Sequence, residues 1–373
     1  MNVNEQRLID EFMELVQVDS ETKHEGQIAE ALKQKFIELG LEVQEDQAKD
    51  KTGHGANNLI CTLKGNNPDA EVIYFTSHMD TVVPGKGIKP SIEGGYIVSD
   101  GTTILGADDK AGLAAMIEMI KRLKEEEVQH GDIQLVITVG EESGLVGARA
   151  LDSSLIKAKY GYAVDSNGDV GNIIVAAPSQ AKLEIIPRGK KAHAGVAPEE
   201  GVSAITLAAK AVSKMPLGRI DDETTANIGR FEGGQATNIV CDEAYVLAEA
   251  RSLEPKKLEK QIENMKKACR QAEADIGGEI EVKVTYMYPG YKQQEGDQVV
   301  EVARAAAKSI GRTSVLESSG GGSDANIISG LGIPTVNLCV GYENIHTTDE
   351  RMPVQELIKI AELLTAISIE AGK

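Results

Sequence analysis

Four apolar runs in this chain, rich in β-branched residues, each end on or lead into a side chain that can bind a metal. Val72-Ile73-Tyr74-Phe75 leads into Ser77-His78-Met79-Asp80-Thr81, and Ile133 to Val139 ends in Gly140-Glu141-Glu142-Ser143-Gly144. Tyr160-Gly161-Tyr162-Ala163-Val164 ends at Asp165, and Pro334 to Val340 precedes a loop carrying Asn344-Ile345-His346-Thr347. Short apolar runs of this kind fit strands buried on both faces, as in a parallel sheet covered by helices. In such a sheet the ligand crevice lies outside the carboxyl ends of the strands. A further acidic pair, Asp108-Asp109, stands just before a long helical pattern. Two histidines and several carboxylates converging on one edge suit two Zn2+-like ions rather than one. Side chains at i and i+2 of an extended segment point the same way. His78 is therefore placed to bind metal while Asp80, or the carbonyls around it, orients the imidazole.

The periodicity predicts helices over residues 5–17 and 25–39 and strands over 41–45, 57–63 and 71–77. Residues 109–127 read as a helix with Leu113, Met116, Ile117, Ile120 and Leu123 on one face. The strand–helix alternation continues to about residue 176 and then changes. Lys182 to Ile186 alternates like a half-exposed strand, Pro198 to Lys214 reads as a helix, and Asn227–Phe231 with Tyr245–Ala250 reads as an antiparallel pair. Pro255 to Ile276 is a charged amphipathic helix, and Glu279 to Met287 alternates again. This βαββαβ order predicts a small sheet with two helices on one face. After Pro289-Gly290 the first pattern returns and brings His346. The expected fold is α/β: a mixed, mostly parallel sheet sandwiched by helices, with an inserted ferredoxin-like α+β lid. The expected catalytic domain is discontinuous, residues 1–178 and 291–373, and the insert covers 179–290.

Composition narrows the class. Lysine plus arginine number 39 against 58 aspartate plus glutamate, a formal charge of −19. That balance argues against nucleic acid and anionic membranes as partners. No apolar run is long enough to span a bilayer, and the start lacks the basic and apolar regions of a signal peptide. Cys61, Cys241, Cys269 and Cys339 form no Cys-x-x-Cys, so a reducing cytoplasm is the expected location. The glycine clusters do not follow the first strand as Gly-x-Gly-x-x-Gly, which sets a dinucleotide-binding oxidoreductase aside.

Taken singly, each candidate has an ordinary reading. His78 would be a half-buried strand-end histidine, Asp108-Asp109 a helix N-terminus, Glu141-Glu142 a solvated loop pair, Asp165 an Asx turn. The ordered set is specific. His78-x-Asp80, Gly106-Ala107-Asp108-Asp109-Lys110, Glu141-Glu142, Asp165, Ala192-His193-Ala194-Gly195 and His346 resemble the two-zinc exopeptidases of the peptidase T and glutamate carboxypeptidase type. The resemblance covers nearly the whole chain, and Asp100-Gly101-Thr102-Thr103-Ile104-Leu105-Gly106 brings it nearest to peptidase T.

The resemblance implies two Zn2+ per chain, with Co2+ or Mn2+ as alternatives. Asp108 would bridge them, with a cis peptide to Asp109. His78 and Asp165 would complete one site, Glu142 and His346 the other. Glu141 would be the general base for a metal-bound hydroxide, Asp80 would orient His78, and His193 from the insert would help stabilise the oxyanion. Arg251 would hold a substrate carboxylate, Asn238 would donate to the oxyanion or a substrate carbonyl, and Gly321 and Gly322 would offer bare amides to an anion. Gly320 stands where peptidase T has an arginine, so the grip on the substrate C-terminus differs. The expected substrate is a short peptide, with N-acyl amino acid deacylase or dipeptidase as the alternative on the same site. A homodimer through the insert is the expected assembly. His24, His54 and His130 lack this context and read as surface residues.

Overall fold

A computed structural model describes residues 3–373, so Met1 and Asn2 of the expected first segment lie outside the described residues. The chain divides into two compact units. One comprises the described residues up to 176 with 293–318 and 323–373; the other comprises 177–292 with the short segment 319–322. The boundaries read from sequence were 178/179 and 290/291. Ser319–Gly322 falls with the second unit, where the Arg251 guanidinium donates to Gly320 O at 3.3 Å. A Cβ on Gly322 would lie 2.4 Å from the Tyr288 ring, so only glycine fits that approach.

The first unit is built on a mixed sheet. Its strands lie in the order Glu42–Glu45, Leu59–Leu63, Ile133–Thr138, Ile73–His78, Tyr160–Ser166, Thr335–Cys339 and Ile173–Ala177, with Leu316–Ser318 pairing the last. The four central strands, from Ile133–Thr138 to Thr335–Cys339, are mutually parallel. His78 is level with Thr138, and Thr76 with Ala163, so the carboxyl ends of these strands are aligned. The flanking pairs along this order are antiparallel, and Leu316–Ser318 runs parallel to Ile173–Ala177. Every residue of Ile73–His78 and of Ile133–Thr138 is buried, as continuous apolar runs require when helices cover both faces.

The helix Ala107–Glu125 is buried on almost every side up to Leu123, not only along the apolar face read from its periodicity. It packs against the strand Ile73–His78 and the helices Glu5–Val16 and Val354–Ala371. In its regular part Glu118 is 1 % exposed and accepts two hydrogen bonds from the Arg7 guanidinium, at 2.8 and 2.9 Å. Asp108 and Asp109 have non-helical dihedrals and are joined by a cis peptide, so regular helix begins after them.

The second unit has a five-stranded antiparallel sheet in the order Gly218–Asp221, Thr224–Gly233, Ala244–Ser252, Ser179–Arg188 and Glu279–Tyr288. Helices Ala204–Lys214 and Pro255–Ile276 share one core with the inward residues Ala181, Leu183, Ile185, Val246, Ala248 and Ala250. The last four strands carry the ferredoxin-like order; the first is an added edge strand absent from the sequence reading. The helix expected from Pro198 begins at Ala204 instead. Val202 pairs with Lys190 through two bonds of 2.9 Å, and the Ser203 side chain caps the helix by accepting Thr206 N–H at 3.2 Å. Among the described residues no helix is long and apolar enough to cross a membrane. Cys61, Cys269 and Cys339 are buried free thiols, and Cys241 is half-exposed.

Candidate metal and catalytic centre

Three of the aligned strand ends, and the loop beyond the fourth, bring their polar residues together. His78, the last residue of its strand, is 1 % exposed. Its Nε2 lies 3.1 Å from Asp108 Oδ1 and 3.9 Å from Asp165 Oδ1. His346 Nε2 lies 3.3 Å from Asp108 Oδ2 and 2.9 Å from Glu142 Oε1. Asp108 therefore turns one oxygen to each histidine. Ligand atoms of His78, Asp108 and Glu142 all fall within 4.8 Å of one another, which makes this a candidate metal site. His78 Nδ1 lies 2.9 Å from the Asp80 carbonyl, so a proton on Nδ1 leaves the Nε2 lone pair facing the acids.

The Asp80 carboxylate is engaged elsewhere. Its oxygens accept the backbone N–H of Glu141 at 3.0 Å and of Glu142 at 3.3 Å, and it stands 3.5 Å from His78 Nδ1. The Glu141–Glu142 turn is thus tied to the residue that follows the His78 strand. Gly140 precedes it at φ +59°, and a Cβ there would come within 2.5 Å of the His54 ring.

The charges are arranged as a cation would need them. Burial opposes a charged His78, but hydrogen bonds to Asp108 and Asp80 outweigh it and hold the imidazole well above its ordinary pKa. Burial likewise raises Asp108, but hydrogen bonds from His346 and His78 hold it below the usual carboxylate range. Burial first, then repulsion from Asp108 and Glu141, pushes Asp165 well up. Burial first, then the nearby acids Asp324, Glu142 and Asp108, does the same to Glu141 against the pull of His78. Asp109 Oδ2 and Asp324 Oδ1 are buried without a hydrogen-bond partner. So many buried carboxylates are costly unless a cation joins them, and a divalent ion favours the ionised form of each. A set of imidazole and carboxylate donors fits Zn2+ and also Co2+ or Mn2+.

Sequence reasoning missed several supports of this centre. Asn337 Oδ1 accepts Asp165 N–H at 2.9 Å, and its Nδ2 donates to Asp165 O at 2.7 Å. The Tyr342 hydroxyl donates to Asp165 Oδ1 at 3.1 Å. Asn337 carried a signal: a polar residue inside the apolar run Pro334 to Val340 needs a partner once buried. His54 and His130 are corrections, each 5 % exposed rather than on the surface. Their burial is secured by polar partners: His54 Nε2 meets Ser143 Oγ at 2.9 Å, and His130 Nδ1 meets Gly131 O at 2.7 Å. His24 is exposed.

The remaining candidates belong to the second unit. His193 is exposed, with Nδ1 accepting Gly195 N–H at 3.2 Å, and Ala194 N–H donates to Asn238 O at 3.0 Å. Arg251 is half-buried and its fork grips Glu249, at 2.9 and 3.1 Å. Gly321 N–H donates to Ser319 Oγ at 3.0 Å.

Residues 74–370 match the profile of peptidase family M20/M25/M40. The chain is 67 % identical over 371 residues to the uncharacterized protein YqjE of Bacillus subtilis (strain 168), with both chains covered in full. It superposes on the crystal structure of aminopeptidase PepT from Bacillus cereus ATCC 10987 with a TM-score of 0.95 at 65 % identity, again over the whole of both chains. A tripeptidase from Staphylococcus aureus subsp. aureus Mu50 gives a TM-score of 0.96 at 50 % identity over the same full coverage.

Proposed function

Because the chain belongs to peptidase family M20/M25/M40, we propose that it is a metal-dependent exopeptidase acting on short peptides in the manner of a tripeptide aminopeptidase. The observation that carries this reading is the meeting of His78, Asp108 and Glu142 ligand atoms within 4.8 Å, beside the Glu141 turn whose main-chain N–H the Asp80 carboxylate accepts at 3.0 Å. The relatives described as an aminopeptidase and a tripeptidase support the substrate class.

In this reading His78 and Asp165 would hold one ion, Glu142 and His346 would hold a second, and Asp108 would serve both. When bound, such ions supply Lewis acidity that lowers the pKa of water to about 7 and polarises a carbonyl. Glu141 takes the proton from the attacking water and returns it to the leaving amine. General acid–base work of this kind is worth about 10²–10⁴-fold in rate. Asp80 fixes the main chain on which Glu141 is mounted. His193 and Asn238 are the candidate donors to the oxyanion, Arg251 the candidate for the substrate carboxylate, and the Gly321 and Gly322 amides for an anionic end.

Metal analysis of the purified protein, paired with tripeptides, dipeptides and N-acetyl amino acids, tests the reading. Two ions per chain and a preference for tripeptides with a free amino terminus are expected. Preference for acylated amino acids would replace the peptidase with a deacylase on the same centre. Glu141→Gln should cut kcat about 10²–10⁴-fold while leaving bound metal unchanged; intact hydrolysis would remove Glu141 from the mechanism.

A further inference from the structure

Four residues beyond His346 lies a buried acid that the proposed chemistry does not use. Glu350 is 2 % exposed. Its Oε2 accepts the backbone N–H of Leu105 at 2.8 Å and of Gly106 at 2.7 Å, and its Oε1 accepts that of Asp108 at 3.1 Å. One carboxylate thus gathers three main-chain donors from the turn that delivers Asp108, more than 240 residues away in sequence. Only an acceptor with two equivalent oxygens can do this; an amide would set its own N–H against one of the three.

Glu350 also stands at the foot of the His346 loop. Glu343 and Arg351 close that loop with two backbone hydrogen bonds, of 2.9 and 3.0 Å, and the Arg351 Nε reaches Glu343 Oε2 at 2.6 Å. The Arg351 guanidinium lies 4.3 Å from the Tyr96 ring centroid, and Arg351–Pro353 pairs with the strand Tyr96–Val98. Glu350 N–H donates back to Thr347 O at 3.2 Å. The loop is therefore closed at its base and joined to the Asp108 turn by one side chain.

We propose that Glu350 is a positioning residue that fastens the Asp108 turn to the His346 loop, so that the ion shared by Asp108, Glu142 and His346 meets ligands already held together. The proposal rests on the reading of Asp108 and His346 as metal ligands. Outer groups that orient ligands typically alter metal affinity 10–100-fold. Through Asp108, which serves both ions, Glu350 should touch both sites, but it should act more strongly on the one that His346 also serves, because the remaining ligands of the other, His78 and Asp165, are held by Asp80, Asn337 and Tyr342.

The test is a stepwise Co2+ titration of metal-stripped wild type, Glu350→Gln and Glu350→Asp, followed by visible absorption and calorimetry. The expected result is two ions in wild type, and in E350Q one ion weakened about 10–100-fold with an altered absorption band, the other within a few-fold. Excess Co2+ should restore the second band, and E350D should lie between the two. Wild type with two ions and E350Q indistinguishable from it would overturn the role of Glu350 alone. Wild type taking up no ion would overturn the underlying metal site and this inference with it. Should E350Q fail to fold, hydrogen exchange on wild type decides: the Leu105, Gly106 and Asp108 amides must be protected, and rapid exchange there overturns the clamp.

Discussion

The carboxylate of Asp80 accepts the main-chain N–H of Glu141 at 3.0 Å, and its other oxygen accepts the neighbouring N–H of Glu142 at 3.3 Å. The histidine two residues earlier is held by a different atom, the Asp80 carbonyl, at 2.9 Å from His78 Nδ1. One residue thus serves two parts of the centre with two chemically distinct groups. Its carbonyl sets the imidazole, and its carboxylate sets the turn bearing the candidate base.

This division predicts separable effects. Asp80→Asn keeps the carbonyl but turns an amide N–H towards one of the two main-chain donors. The Glu141 turn should shift while His78 keeps its partner. We expect kcat to fall about 10–100-fold with both metal ions retained, whereas His78→Ala should lose one ion. Kinetics together with metal content decide the matter. Equal metal loss in D80N and H78A would mean that the carboxylate, not the carbonyl, aligns His78.

The strand ends were legible because they combine two local signals, a continuous apolar run and a polar residue at its close. His78, Glu142 and Asp165 were found this way, with His346 in the loop beyond the fourth run and Asp108 ahead of a helical pattern, and the structure brings them together. The partners of their supports were not legible because each acts across a long stretch of chain, even where, as at Asn337, a polar residue in an apolar run signals that a partner exists. Asn337 reaches Asp165 across 172 residues and His54 reaches Ser143 across 89. Nothing around Thr52-Gly53-His54-Gly55 marks it as other than a loop; the Glu141 turn is what buries it. The edge strand Gly218–Asp221 was missed because it is short and mostly exposed, and pairing alone defines it.

Gly140 tests how tightly that turn is packed. Its φ of +59° costs an alanine about 1 kcal/mol, and the new Cβ would also meet the His54 ring and Val146 at 2.5 Å. Gly53 has φ +74° with open space around a Cβ, so Gly53→Ala carries the dihedral cost alone. Urea unfolding should show Gly140→Ala losing about 1–3 kcal/mol more than Gly53→Ala, with kcat reduced only in the former. Equal losses in both would mean that His54 yields freely.

Arg251 carries a prediction about substrate. If its guanidinium exchanges Glu249 for a substrate carboxylate, Arg251→Ala should raise KM for peptides with a free C-terminus. A hydrogen bond to a charged group is worth about 1.5–3 kcal/mol, or roughly 10–100-fold in affinity. C-terminal amides of the same peptides should be nearly unaffected. A uniform rise for acids and amides would assign Arg251 to holding Glu249 and the Gly320 carbonyl, to which it already bonds.

Far from the centre, Glu11 gives the fold a pH dependence of known sign. It is 9 % exposed, with Lys121 Nζ 2.8 Å from one oxygen and Lys35 Nζ 2.8 Å from the other. Burial raises its pKa, but the hydrogen bonds from Lys121 and Lys35 outweigh this and leave it below the ordinary carboxylate value. A group with a depressed folded pKa stabilises the fold above its unfolded pKa and loses that contribution as pH falls through the folded value. Glu11→Gln should therefore cost about 1–3 kcal/mol near pH 7. The gap between variant and wild type should narrow as pH drops below about 4.3, the unfolded glutamate value. Urea denaturation at pH 7, 5 and 3.5 measures this directly. A gap that stays constant over that range would show that the Gln variant loses packing, and that the ion pairs of Glu11 contribute nothing to stability.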